Sequence, residues 1–153
     1  MRLLIVSDSH GNAYALRRLI QMHSEADMLV FLGDGARDLE RVTAEFPSLR
    51  VRAVRGNNDY DSLSPTEDIF HTAGKRVFIA HGHTYYVKRG TEIFIDAARA
   101  KSADIALFGH THSPVSRYEG GLYIANPGAL YSGCYALADI TPVGIHIGLA
   151  EIR

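Results

Sequence analysis

The chain has one cysteine, Cys134, so no intramolecular disulfide can staple it. Cys134 runs into apolar Tyr135-Ala136-Leu137-Ala138 and reads as a small buried residue rather than a reactive thiol. There is no surplus of charge of either sign. Sixteen Lys and Arg stand against 17 Asp and Glu, a formal net charge of −1. A general nucleic-acid binder needs a basic excess to neutralise phosphates, so nucleic acid is not an expected partner. No apolar run approaches the ~20 residues that span a bilayer. Met1–Val6 turns polar at Ser7-Asp8, too short for a signal-peptide core. A membrane partner is therefore not expected, and the reducing cytoplasm is the default setting. Internal repeats, low-complexity stretches and linkers are also missing. Ordinary hydrophobic (46%) and charged (22%) content over 153 residues points to one globular domain, 1–153, with a single substantial core.

Histidine is the unusual count, at eight, and five of the eight fall in three short groups. His10 stands near Asp8, His81 beside His83, and His110 beside His112. The hydrophobic pattern places these groups. Leu3–Val6, Met28–Leu32, Val77–Ala80 and Ile105–Phe108 are apolar runs of strand length, as expected for strands buried on both faces of largely parallel sheets, and Val51–Val54 reads as a further strand. Helical spacing is carried by Ala13, Leu16, Leu19 and Ile20. It recurs in Ala36, Leu39, Val42 and Phe46, a helix that Pro47 should end, and over Thr91–Lys101. Hairpins are expected around Ala73-Gly74 and Gly120-Gly121. Tyr135–Ile140 and Val143–Ala150 read as two further strands. The expected class is α/β, with layered sheets covered by helices.

The four apolar runs and Val51–Val54 each end in a polar cluster. In order these are Asp8-Ser9-His10, Gly33-Asp34-Gly35, Gly56-Asn57-Asn58-Asp59, His81-Gly82-His83 and Gly109-His110-Thr111-His112. The carboxyl edge of such strands is where α/β sheets bind ligands. Carboxylate, amide oxygen and imidazole suit Mn²⁺, Fe²⁺, Zn²⁺ or Ni²⁺. Asp8, His10, Asp34, Asn57, His81, His110 and His112 are too many for one tetrahedral ion but suit two ions that share a carboxylate. Two divalent ions, two aspartates and one bridging hydroxide leave a core of about +1, which attracts a phosphoester.

These ordered motifs resemble the calcineurin-like metallophosphoesterase superfamily. The compact size and Asn126-Pro127-Gly128 resemble its small YfcE-type phosphodiesterases. The resemblance implies an α/β/β/α sandwich, two packed sheets flanked by helices. It implies one metal held by Asp8, His10, Asp34 and His112, and a second by Asp34, Asn57, His81 and His110, with Asp34 as the bridge. The cofactors implied are two divalent ions, Mn²⁺ first, with Fe²⁺, Zn²⁺ or Ni²⁺ as alternatives. The reaction implied is in-line attack on a small phosphodiester by the metal-bridging hydroxide. One position departs from the pattern: many members carry His where this chain has Asn58. An amide donates a hydrogen bond to a phosphoryl oxygen but delivers no proton. Asn58 is thus the candidate substrate donor and His83 the nearest candidate for the missing acid. Asp59 is expected in a turn or outer hydrogen bond. Thr84–Gly90, with Tyr85, Tyr86, Lys88 and Arg89, is either a substrate wall or a solvated loop. Two alternatives share the fold. One is a non-catalytic scaffold like the retromer subunit; the other is a phosphomonoesterase or nuclease using the same site. The apolar strand content is enough to support a homo-oligomer through sheet edges or faces.

Overall fold

Leu3 and Ile5 face one way and Leu4 and Val6 the other, and all four are buried. Apolar layers must therefore lie on both sides of strand β1 (Arg2–Val6). The computed structural model describes residues 1–153 and supplies both layers. On one side Leu3 and Ile5 join Val30, Leu32 and Val54 in packing against Val77, Ile79, Ile105 and Leu107 of a second sheet. On the other side Leu4 and Val6 meet Leu16, Leu19 and Val42 of two covering helices.

The first sheet has the order β10-β9-β1-β2-β3. Parallel β1, β2 (Met28–Phe31) and β3 (Val51–Ala53) form one half. Antiparallel β9 (Cys134–Thr141) and β10 (Gly144–Glu151) form the other. Helices α1 (Ala13–Met22) and α2 (Ala36–Thr43) cross over between its parallel strands. The second sheet has the order β4-β5-β6-β8-β7, with β5 (Lys75–Ala80), β6 (Ile105–Leu107) and β8 (Leu122–Asn126) parallel. Hairpin partners β4 (Glu67–Thr72) and β7 (Val115–Glu119) form its edges. Helix α3 (Glu92–Ala100) covers its outer face through Phe94, Ile95 and Ala98. The architecture is the expected four-layer sandwich.

Two local details differ from the sequence pattern. Helix α2 ends at Thr43, a turn before Pro47, where its i→i−4 ladder gives way to the tighter i→i−3 bonds from Glu45 N to Val42 O and from Phe46 N to Thr43 O. Phe46 still packs on the α1–α2 layer. Val143 lies in the β9–β10 turn and is fully exposed rather than leading the strand. Cys134 is buried and free, and burial raises its thiol pKa. No helix is long and apolar enough to cross a membrane.

Candidate metal centre

The parallel strands of both sheets point their carboxyl ends to one rim, where the five polar clusters meet. Of the eight non-glycine residues with positive φ, five are Asp8, His10, Asp34, His110 and His112. Their φ values, 45–68°, lie in the left-handed region, which costs an L-residue about 1–3 kcal/mol each. The backbone reverses direction immediately after each strand, which turns these side chains inward. Two glycines make the closeness possible. A Cβ on Gly56 would lie 2.0 Å from Asp34 Oδ1, and one on Gly109 would lie 2.0 Å from Ser7 Oγ and 2.9 Å from Asp8 Oδ2.

The expected ligands converge. Donor atoms of Asp8, His10 and His112 lie within 4.8 Å of one another, and so do those of Asp34, His81 and His110. His112 Nε2 is 3.1 Å and His10 Nε2 3.4 Å from Asp8 Oδ1. His81 Nε2 is 3.5 Å from Asp34 Oδ2 and 3.1 Å from Asn57 Oδ1. The two groups touch, since His10 Nε2 is 4.0 Å from Asp34 Oδ2 and His81 Nε2 is 3.9 Å from Asp8 Oδ1. Two buried carboxylates therefore share a small volume, and no Lys or Arg lies within 4 Å of either. Buried charge needs compensation, and these oxygens and ring nitrogens are the donors that divalent ions take. His10 and His112 even aim Nε2 at Nε2 across 3.3 Å, an arrangement that a cation between them satisfies. The residues present fit a metal pair.

Neighbouring groups fix each donor. His81 Nδ1 is 2.6 Å from Leu32 O, which leaves Nε2 for the centre. Asp8 Oδ2 accepts from Ser7 Oγ and from His110 N at 3.1 Å. Asn58 donates twice to Asp34, from its backbone N to Oδ1 at 2.8 Å and from Nδ2 to Oδ2 at 2.7 Å. Asp59 accepts from four backbone N–H groups, those of Asp34, Gly35, Ala36 and Gly56, at 2.8–3.0 Å. It thus ties the loop after β3 to the start of α2, the turn role expected of it. Asn126, fully buried, donates to Gly109 O and Thr111 Oγ1, both at 2.9 Å, and so braces the His110–His112 loop from β8. Ser7, Asp59 and Asn126 were not among the candidate site residues. Only the motif positions of Asp59 and Asn126 hinted at them.

The electrostatics follow from this crowding. Burial opposes charge on Asp34, but hydrogen bonds from His81 and Asn58 outweigh it and hold the carboxyl well below the usual carboxylate range. Burial likewise opposes charge on His81, and Asp34 and Asp8 overcome it, so this ring's pKa is raised. Burial, with the charges of His81 and Lys88, pushes His110 down to about 4. His83 packs beside His81 and His110, with ring centroids at 5.4 and 6.1 Å. Its Nδ1 is buried without a hydrogen-bond partner, and burial and His81 lower its pKa. At neutral pH His83 is therefore a neutral ring. In the Thr84–Gly90 segment, Tyr85 turns away from solvent onto Phe78 and Phe94 and donates to Glu67, while Tyr86, Lys88 and Arg89 stay exposed.

A model of the calcineurin-like phosphoesterase superfamily domain matches residues 1–141. The chain is 30% identical to the probable metallophosphoesterase YsnB of Bacillus subtilis over 132 residues, covering 85% of this chain and 75% of that protein. It is 28% identical to the phosphodiesterase YfcE of Escherichia coli over 154 aligned positions, covering 85% and 79%. Among solved structures, a predicted phosphoesterase from Streptococcus pneumoniae superposes with a TM-score of 0.86 at 22% identity, covering 98% and 88%. Vps29 of Entamoeba histolytica, complexed with zinc, superposes at 0.76 and 17% identity, covering 99% of each chain. The fold, the convergent ligand set and the match over 1–141 agree, and the chain belongs to the calcineurin-like phosphoesterase superfamily.

Proposed function

We propose that the chain is a phosphodiesterase that uses two divalent cations, Mn²⁺ first and Fe²⁺, Zn²⁺ or Ni²⁺ as alternatives, on a small phosphodiester in the reducing cytoplasm. The observation that carries this reading is the pair of touching donor groups built on two buried carboxylates without a Lys or Arg counter-charge. Asp8, His10, Asp34 and His112 would hold one ion, and Asp34, Asn57, His81 and His110 the other. Bound there, such ions supply Lewis acidity to phosphoryl oxygens and lower the pKa of water. The chain's own groups do the rest. Asn58 fixes both oxygens of Asp34 and keeps a second amide N–H for a phosphoryl oxygen. His83, held neutral, donates a hydrogen bond but carries no extra proton, so it acts as a positioning donor and not as a strong acid. Hydrolysis should consequently depend on the quality of the leaving group, with aryl diesters faster than alkyl ones.

The test is hydrolysis of an activated aryl diester, the matching monoester and an oligonucleotide by metal-stripped and Mn²⁺-titrated protein. Diester turnover abolished by chelation and restored by Mn²⁺ is expected. Unchanged turnover after confirmed metal loss overturns the metal role, and a preference for monoester or oligonucleotide overturns the substrate class. Asp34→Asn should lower turnover by more than the ~10–100-fold typical of losing an outer partner. The likeness to Vps29 favours a second reading, a binding scaffold. Two bound ions without turnover of any ester would establish it.

A further inference from the structure

An open groove of about 780 Å³ leads away from the metal centre between α2 and the Tyr60–Ser64 loop, and it begins at His10, Asp34 and Asn58. Its charge is lopsided. Beyond Asp34 and the fully engaged Asp59, the charged walls are Asp38, Glu40 and Asp61 against Arg37 alone. Arg37 is not free either, because its Nη2 donates to Asp61 Oδ2 at 2.9 Å at the exposed rim. A second phosphate in this groove would meet carboxylates and no available cation. The rest of the lining mixes small polar groups, Thr43, Ser62 and Ser64 among them, with the apolar and aromatic side chains Leu39, Val51, Tyr60 and Leu63. Leu39 is buried and Val51 half-buried, whereas Tyr60 and Leu63 stand 84% and 102% exposed on the loop. An exposed ring on a groove wall is a surface on which another ring stacks. Neither Lys88 nor Arg55, the cations whose charge acts on His110 and His83, lines the groove.

We propose that this groove binds one ester arm of the substrate, an uncharged aromatic group laid against Tyr60, and that Glu40 and the Arg37–Asp61 pair reject arms bearing a further negative charge. The proposal rests on the phosphodiesterase reading for what sits at the centre, but binding tests it separately from turnover. Zn²⁺-loaded protein, which is diamagnetic, is titrated with diphenyl phosphate and with bis(4-carboxyphenyl) phosphate, in which either arm brings a carboxylate, while backbone amide resonances are followed. Diphenyl phosphate should shift amides in 36–40 and 60–64, and the carboxylated probe should bind more weakly. Tyr60→Ala should weaken diphenyl phosphate about five-fold, in line with one aromatic contact. Asp61→Asn, which frees Arg37, should tighten the carboxylated probe about five-fold, the scale of a rim ion pair, and leave diphenyl phosphate unchanged. Diphenyl phosphate binding without shifts in these segments, no effect of Tyr60→Ala, or an equal effect of Asp61→Asn on both probes overturns the groove assignment. Groove binding without turnover of any diester overturns the enzymatic reading and leaves the groove standing.

Discussion

At the residue scale the centre depends on groups that hold its candidate ligands and their loops in place. Asp59 satisfies four N–H donors that converge from two loops 22 residues apart. Removing the carboxylate leaves those donors unpaired, and Asp59→Ala should cost about 2–3 kcal/mol of stability, the range for hydrogen bonds to charged groups. Asp59→Asn should recover part of that loss, and denaturant unfolding of both variants checks it. The histidines give the metal-free protein a defined pH response. His110 and His83 have lowered pKa values, so the unfolded chain takes up protons first and stability is lost as pH falls below the ordinary imidazole range, for His110 down to about 4. His81 is raised, so its contribution is complete below the ordinary value and lost as pH rises through the raised one. Chelated protein should have its highest melting temperature between those limits, and His110→Asn should flatten the acid side. Scanning fluorimetry across pH measures both.

At the scale of elements, the strand-end loops are where sequence and structure agree best. Strands β1, β2, β5 and β6 were legible because burial on both faces leaves an uninterrupted apolar run, and the polar cluster after each run marks the edge at which it stops. The candidate donor positions at the strand ends were legible for the same reason. The supporting groups were not. Asn126 acts across 15–17 positions of chain on Gly109 O and Thr111 Oγ1, and Asp59 across 23–25 positions on backbone N–H groups, and no periodicity encodes such a partner. The groove was equally hidden, since it exists only when α2 and the 60–64 loop come together. The early end of α2 lies where the last turn tightens to i→i−3 bonds, a change of geometry that the Pro47 signal does not locate. Asn126 also yields a prediction at this scale. Asn126→Ala should loosen the loop that carries His110 and His112 and weaken metal binding by about 10–100-fold, as for other outer partners. Isothermal titration with Zn²⁺ is the measurement, and Gly109→Ala should mimic the loss by displacing Asp8 from the other side.

At the scale of the whole molecule, a ligand that binds only the folded chain stabilises it in proportion to its affinity. Free metal at 100 times its dissociation constant should add about 2.7 kcal/mol. Melting temperature should therefore rise with Mn²⁺ or Zn²⁺ and fall on chelation, and Asp34→Asn should abolish most of the difference. One feature of the site gives this coupling a direction in time. Each donor triad draws on both sheets: Asp8 and His10 wait for His112, and Asp34 waits for His81 and His110. A chain emerging from the ribosome exposes its aspartates long before their partners, so a passing cation finds half a nest and leaves. Capture should become strong only when the two sheets have docked in register, which would make metal retention a check on correct assembly.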